Sequence, residues 1–117
     1  MNAVQLIGRL THDPRPVRAG NGSTLATLRL AVPGPKDDAV DYVTVKIWGR
    51  SADAALKHLT RGRRVAVQGR LEHQEWTDDE GRRTERLAVV ADRVEYLDPV
   101  HSGRRVDGVA SETADAT

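Results

Sequence analysis

An all-β barrel of five short strands, with one short helix between the third and the fourth, is predicted by three observations. Five segments of the 117-residue chain alternate apolar and polar residues with period two. One segment, SADAALKHL at 51–59, breaks that alternation and carries helix-end signals instead. Clusters of Gly, Pro, Asn and Asp separate the segments at hairpin-like spacing.

The first strand is expected over 3–10, with Val4, Leu6 and Leu10 against Gln5 and Arg9. A turn-rich stretch follows, marked by Asp13-Pro14 and Asn21-Gly22. The second strand, 23–32, sets Ala26, Leu28, Leu30 and Val32 inward and Thr27 and Arg29 outward. Pro33-Gly34-Pro35 stops it. The third is DYVTVKIWGR, 41–50: Val43, Val45 and Ile47 form the core face, while Tyr42, Thr44, Lys46 and Trp48 face away. In the helix Ser51 is the expected N-cap and Asp53 lies in the first turn. Lys57 and His58 suit the negative end, Ala55, Leu56 and Leu59 form the apolar stripe, and Gly62 is the stop. The fourth strand, 63–74, turns Val65, Val67, Gly69 and Leu71 inward and Arg64, Gln68, Arg70 and Glu72 outward. TDDEGRR, 77–83, is a polar hairpin tip. The last strand, 84–97, has Leu87 and Val89 as apolar positions and an irregularity near Asp92 before Val94 and Leu97. This order matches the five-stranded OB-fold Greek-key barrel, expected over 1–99. After Pro99 the periodicity ends, and 100–117 is expected to be a disordered tail.

Composition bounds the function. The length suits one domain with one modest core. The absence of cysteine excludes disulfides and thiolate metal sites and fits a cytoplasmic protein. The apolar run at the N-terminus is too short for a signal peptide or a membrane span. Net charge is only +1, so any nucleic-acid footprint lies in how the charge is distributed. Arginine supplies 15 of the 18 basic residues. Arginine suits phosphate forks and stacking on bases, but a GC-rich genome gives the same bias.

No catalytic arrangement stands out. His12, His58, His73 and His101 have no metal-like spacing, and no phosphate-cradling loop or nucleophile elbow is present. The expectation is therefore no enzyme, no metal and no cofactor. The aromatic residues carry more. The chain has two Trp, two Tyr and no Phe, and Tyr42 and Trp48 share the outward face of the third strand with Lys46 between them. Trp76 has the outward parity of Arg64 and Arg70. Exposed aromatics interleaved with cations are what a single-stranded nucleic acid requires, because every base has a face that stacks and every phosphate needs a cation. Spacing alone equally allows these rings to pack under a loop or at a subunit interface.

Over residues 2–97 the chain resembles the bacterial single-stranded DNA-binding protein family. The opening NAVQLIGRLTHDPRPVR carries the family's pattern at Gly8, Leu10, Asp13 and Pro14. GNGSTLATLRLAV and YVTVKIWGRSAD resemble the next two strands and the entry to the helix. The strand pattern recurs at Arg61-Gly62, Val65, Val67, Gly69 and Leu71, and the hairpin pattern at Trp76, Asp78 and Gly81. The resemblance implies base stacking by Tyr42, Trp48 and Trp76, and places Arg50 and Arg61 beside the nucleic-acid path. With Lys46 and the outward Arg64 and Arg70, the cations expected to contact nucleic acid are completed by Arg9, Arg29, Arg82 and Arg83.

Some positions depart from the family. No stacking aromatic follows the second strand, where the sequence is Val32-Pro33-Gly34-Pro35-Lys36. The segment before Trp76 is Leu71-Glu72-His73-Gln74-Glu75 rather than basic, and Val43 replaces a frequent interface histidine. An acidic tip ending in Phe is absent from Ala114-Asp115-Ala116-Thr117, so no partner docking through such a tip is expected. The expected function is sequence-independent binding and protection of single-stranded DNA in replication, repair or recombination, by a cytoplasmic, nucleoid-associated homotetramer of accessory type. An adaptor of primosome type, acting through protein contacts on the same fold, is the alternative.

Overall fold

The computed structural model describes residues 1–18 and 22–97. Asn21 of the expected Asn21-Gly22 turn, the expected domain end at Pro99 and the expected tail lie outside the described residues. The elements run β1 (Val4–Leu10), β2 (Arg15–Arg18), β3 (Thr24–Pro33), β4 (Val40–Trp48), α1 (Gly49–His58), β5 (Arg64–Thr77) and β6 (Arg83–Tyr96). The five expected strands and the helix are all present. β2 is an additional strand, within the stretch expected to hold only turns. It pairs antiparallel with β3 from Arg15↔Thr27 to Arg18↔Thr24. Pro16 is tolerated because β2 ends the sheet and its outer edge needs no donor.

The strands hydrogen-bond in the order β1-β5-β6-β4-β3-β2, and β1 also meets β3. That last contact closes the barrel, with Arg9↔Ala31 and Leu10↔Leu30 as its only two register pairs. Gly8 stands at the closure because a Cβ there would lie 2.6 Å from the Ala31 carbonyl oxygen. β4 and β6 run parallel, through Val45↔Val89 and Lys46↔Val90; the other pairs are antiparallel. This is the OB-fold barrel.

Alternation turns Leu28, Leu30, Val45, Ile47, Val65, Val67 and Val89 into the barrel, where each is fully buried. At about 1.5–3 kcal/mol per buried aliphatic side chain, this layer is the main favourable term in folding. Ala52 and Ala55 of α1, and Leu59 at its C-cap, join the same cluster. The expected N-cap is corrected. α1 begins at Gly49, Trp48 occupies the cap position without a side-chain cap bond, and no acidic residue lies in the first turn. Gly49 makes the strand-to-helix turn at φ +66°, a conformation open chiefly to glycine, so the helix starts before Ser51 can cap it.

β5 and β6 are 14 residues each and outrun the barrel as a hairpin arm. Leu71 and Leu87, expected at apolar strand positions, are exposed. They follow the period, but the arm carries them past the core. The irregularity expected near Asp92 is a bulge. Gln68 pairs with Arg93 and Gly69 with Ala91, so Asp92 is the extra residue. Asn2 adds a rung ahead of β1: its side-chain Nδ2 donates to the Leu71 carbonyl at 2.9 Å, and its Oδ1 accepts from the Leu71 N–H at 2.7 Å.

Candidate nucleic-acid interface

The outer wall made by β3, β4, β6 and β5 carries three of the four aromatic side chains. The fourth, Tyr96, is half-buried against the core, and burial pushes its phenol up from the usual range. On β4, Tyr42 is 57% and Trp48 43% exposed; on the arm, Trp76 is 42% exposed. Each ring is at the parity expected from alternation. Two have a cation against them. The Arg29 guanidinium lies 5.0 Å from the Tyr42 ring centroid, and that of Arg86 lies 5.5 Å from the Trp76 ring. The register accounts for the first contact: Arg29 opposes Thr44 and Tyr42 opposes Ala31, so Arg29 and Tyr42 are diagonal neighbours on one face. Arg86 opposes Gln74, next to Trp76 on the arm's outer face. Sequence reasoning passed over Arg86. Its pairing across the hairpin from the Trp76 region was the available signal.

Lys46 lies between Tyr42 and Trp48 on β4, as expected, but it is engaged. Its Nζ donates to Glu72 Oε1 at 2.9 Å. Gln74 Nε2 donates to the same oxygen at 3.1 Å. The bond from Lys46 holds the Glu72 carboxyl below the usual carboxylate range. Partial burial opposes that effect, while Gln74 and Arg70 reinforce it. The pair is therefore intact at neutral pH. Because the folded-state pKa is lowered, its contribution to stability is lost only as the pH falls through that lowered value.

The other expected cations divide into groups. Arg50, in the first turn of α1 and two residues after Trp48, and Arg70, opposite Val90 on β5, are both exposed. Arg61 lies in the loop after α1, where its backbone N–H donates to Asp13 Oδ1 at 2.8 Å, and its side chain is exposed. Arg9 and Arg64 oppose each other across β1 and β5. Arg64 is six residues from Arg70 along β5, which is about 20 Å in a strand. Arg9 Nη1 also donates to the Gly62 carbonyl at 3.0 Å. At the arm's tip Arg82 pairs with Glu80 at 3.1 Å, and Arg83 pairs with Glu75.

The arm's other face holds a cluster that spacing did not suggest. His73 Nε2 lies 2.7 Å from Glu85 Oε1 and 3.6 Å from Glu75 Oε2. All three residues are exposed. A hairpin brings i and i+2 of one strand beside a residue of its partner, so sequence separation hides the group.

A closed barrel that presents cation-flanked aromatic rings on one outer wall defines an OB-fold binding protein of the kind that offers stacking surfaces. The chain belongs to the single-strand binding protein family, whose sequence model matches residues 1–97. It is 34% identical over 109 residues to the single-stranded DNA-binding protein of Helicobacter hepaticus, covering 87% of this chain and 64% of that protein. Against the protein of the same name from Clostridium tetani it is 34% identical over 103 residues, 84% of this chain and 71% of that one. Against single-stranded DNA-binding protein 2 of Staphylococcus aureus the identity is 32% over 110 residues, 90% and 79% of the two chains. Among the described residues no helix is long and apolar enough to cross a membrane.

Proposed function

We propose that this chain binds single-stranded DNA without sequence specificity and without turnover, protecting it in replication, repair or recombination. The observation that carries the reading is the set of three exposed rings on one outer wall, with guanidinium groups at two of them. Tyr42, Trp48 and Trp76 are the stacking platforms. Arg29, Arg50, Arg61, Arg70 and Arg86 are phosphate partners, together with Arg9, Arg64, Arg82 and Arg83. The site of action is the cytoplasm, at the nucleoid.

The test is titration with oligo(dT) of graded length at several salt concentrations. Saturable binding should appear above a minimum length. Log affinity should fall with log salt by roughly 0.7 for every phosphate neutralised. An affinity independent of salt would rule out a groove that tracks phosphates.

The same reading includes a homotetramer built through β1. Only Arg9 and Leu10 of β1 pair with β3, so the Val4–Ile7 stretch of that edge has no strand beside it among the described residues. That stretch is uncharged, and Ile7 is exposed. An uncharged open edge invites pairing with a second copy. Sedimentation equilibrium at micromolar concentration is expected to give about four times the 12.8 kDa chain mass. A monomer mass would refute this assembly.

A further inference from the structure

We propose that Glu72 is an internal competitor for the phosphate backbone: its carboxylate occupies the Lys46 ammonium on the aromatic wall, so a bound strand gains that cation only by displacing Glu72. The inference rests on the single-stranded DNA reading above and specifies which cation that reading leaves unavailable.

Strand order explains how the two side chains meet. β6 lies between β4 and β5. Lys46 and Arg70 both oppose Val90, and Glu72 opposes Ala88, so all five side chains are on the outer wall. Ala88 and Val90 are nevertheless only 2% and 8% exposed. They are small, and longer side chains from the flanking strands close over them. Lys46 reaches across from β4, Glu72 reaches from β5, and the ion pair spans the β6 backbone between them. Its side chains are 19% and 33% exposed, so solvent screens it less than the pairs at the arm's tip. Gln74 bonds to the same Glu72 oxygen and fixes the carboxylate in place.

The position of the pair gives it a consequence for binding. Lys46 is the one lysine on the wall and lies between Tyr42 and Trp48 on their own strand face. A phosphate between bases stacked on those rings would arrive next to this ammonium. A carboxylate already bonded there repels the phosphate and must rotate away before a new bond can form. Counterion release follows the cations a phosphate actually neutralises, so a cation held by Glu72 contributes nothing to the salt slope.

The experiment measures anisotropy of a labelled oligo(dT) against salt for the parent, Glu72→Gln, Lys46→Met, the double variant and Glu95→Gln. Glu95 also pairs with an arginine, Arg93, but at the far end of β6, and it controls for net charge alone. Glu72→Gln is expected to bind more tightly at low salt and to steepen the slope by about 0.7, one phosphate. Its advantage over the parent then shrinks about five-fold for each tenfold rise in salt. Lys46→Met should leave the parent slope unchanged but return the Glu72→Gln slope to the parent value. Glu95→Gln should leave the slope where it is. An unchanged slope in Glu72→Gln, a reduced slope in Lys46→Met alone, or an equal gain from Glu95→Gln each overturns the competitor role while leaving the binding reading intact. A parent that binds no oligo(dT) at low salt overturns both.

Discussion

Trp48→Ala and Trp76→Ala are each expected to weaken binding to oligo(dT) by about 1–3 kcal/mol, or roughly 5- to 150-fold. That range is general to base stacking in single-strand-binding barrels, this family's among them, and is adopted from there. The rings carry the effect because both are half in solvent on the outer wall and neither belongs to the buried cluster. Removing them exposes no cavity in the core, so the variants should unfold at nearly the parent denaturant concentration. The two sites lie on different strands, β4 and β5, with β6 between, and their losses should approach additivity. Intrinsic Trp emission gives an independent readout, since each remaining Trp should be quenched as oligo(dT) saturates. Variants that stay folded and bind like the parent would remove the stacking platform from the mechanism.

Gly69→Ala is expected to be among the most destabilising single substitutions, by about 3–5 kcal/mol, the upper end for point changes. A Cβ built at Gly69 would stand 2.0 Å from the Val90 carbonyl oxygen and 2.9 Å from the Ala91 Cα. Both obstacles are backbone, so no side chain can rotate out of the way. The close approach lies at the bulge where β6 carries Asp92 as its extra residue. Relieving it means separating β5 from β6 next to the row that holds Lys46, Val90 and Arg70. The loss is a large fraction of the stability of a domain this size. Urea unfolding measures it as a lower midpoint at an unchanged slope. A midpoint within a few tenths of molar of the parent's would mean that the bulge absorbs the methyl group by sliding.

Much of the barrel was legible because burial enforces period two. Leu28 and Leu30, Val45 and Ile47, and Val65 and Val67 are two apart and fully buried, and nothing but a strand places them so. The bulge at Asp92 was legible as a break in that period. β2 was not, because four residues containing Pro16 are too few to alternate. The helix start was misplaced because Ser51 has the chemistry of a cap, whereas the turn itself is made two residues earlier by Gly49. Leu71 and Leu87 follow the period correctly but end in solvent, since alternation gives a side's direction and not what lies beneath it.

At the candidate site, the outward parity of Tyr42, Trp48 and Trp76 was readable strand by strand. The Lys46–Glu72 pair was not. It depends on β6 lying between β4 and β5, which brings together residues 26 apart in sequence. The same topology hides Ala88 and Val90, which face outward and are still buried.

On the proposed binding mode, the guanidinium groups against Tyr42 and Trp76 would make engagement of a strand an exchange reaction. A bare ring half in water would stick to any apolar surface it met, including another copy of the same chain. With an arginine resting on it, the ring is wetted by a charged group that leaves only for a better partner. In that proposed mode a base would be the partner, and its phosphate would receive the displaced arginine in the same event. The two contacts would then be a reversible dressing on an adhesive surface, covering the rings when the wall is empty and yielding to a ligand with a flat apolar face beside an anion.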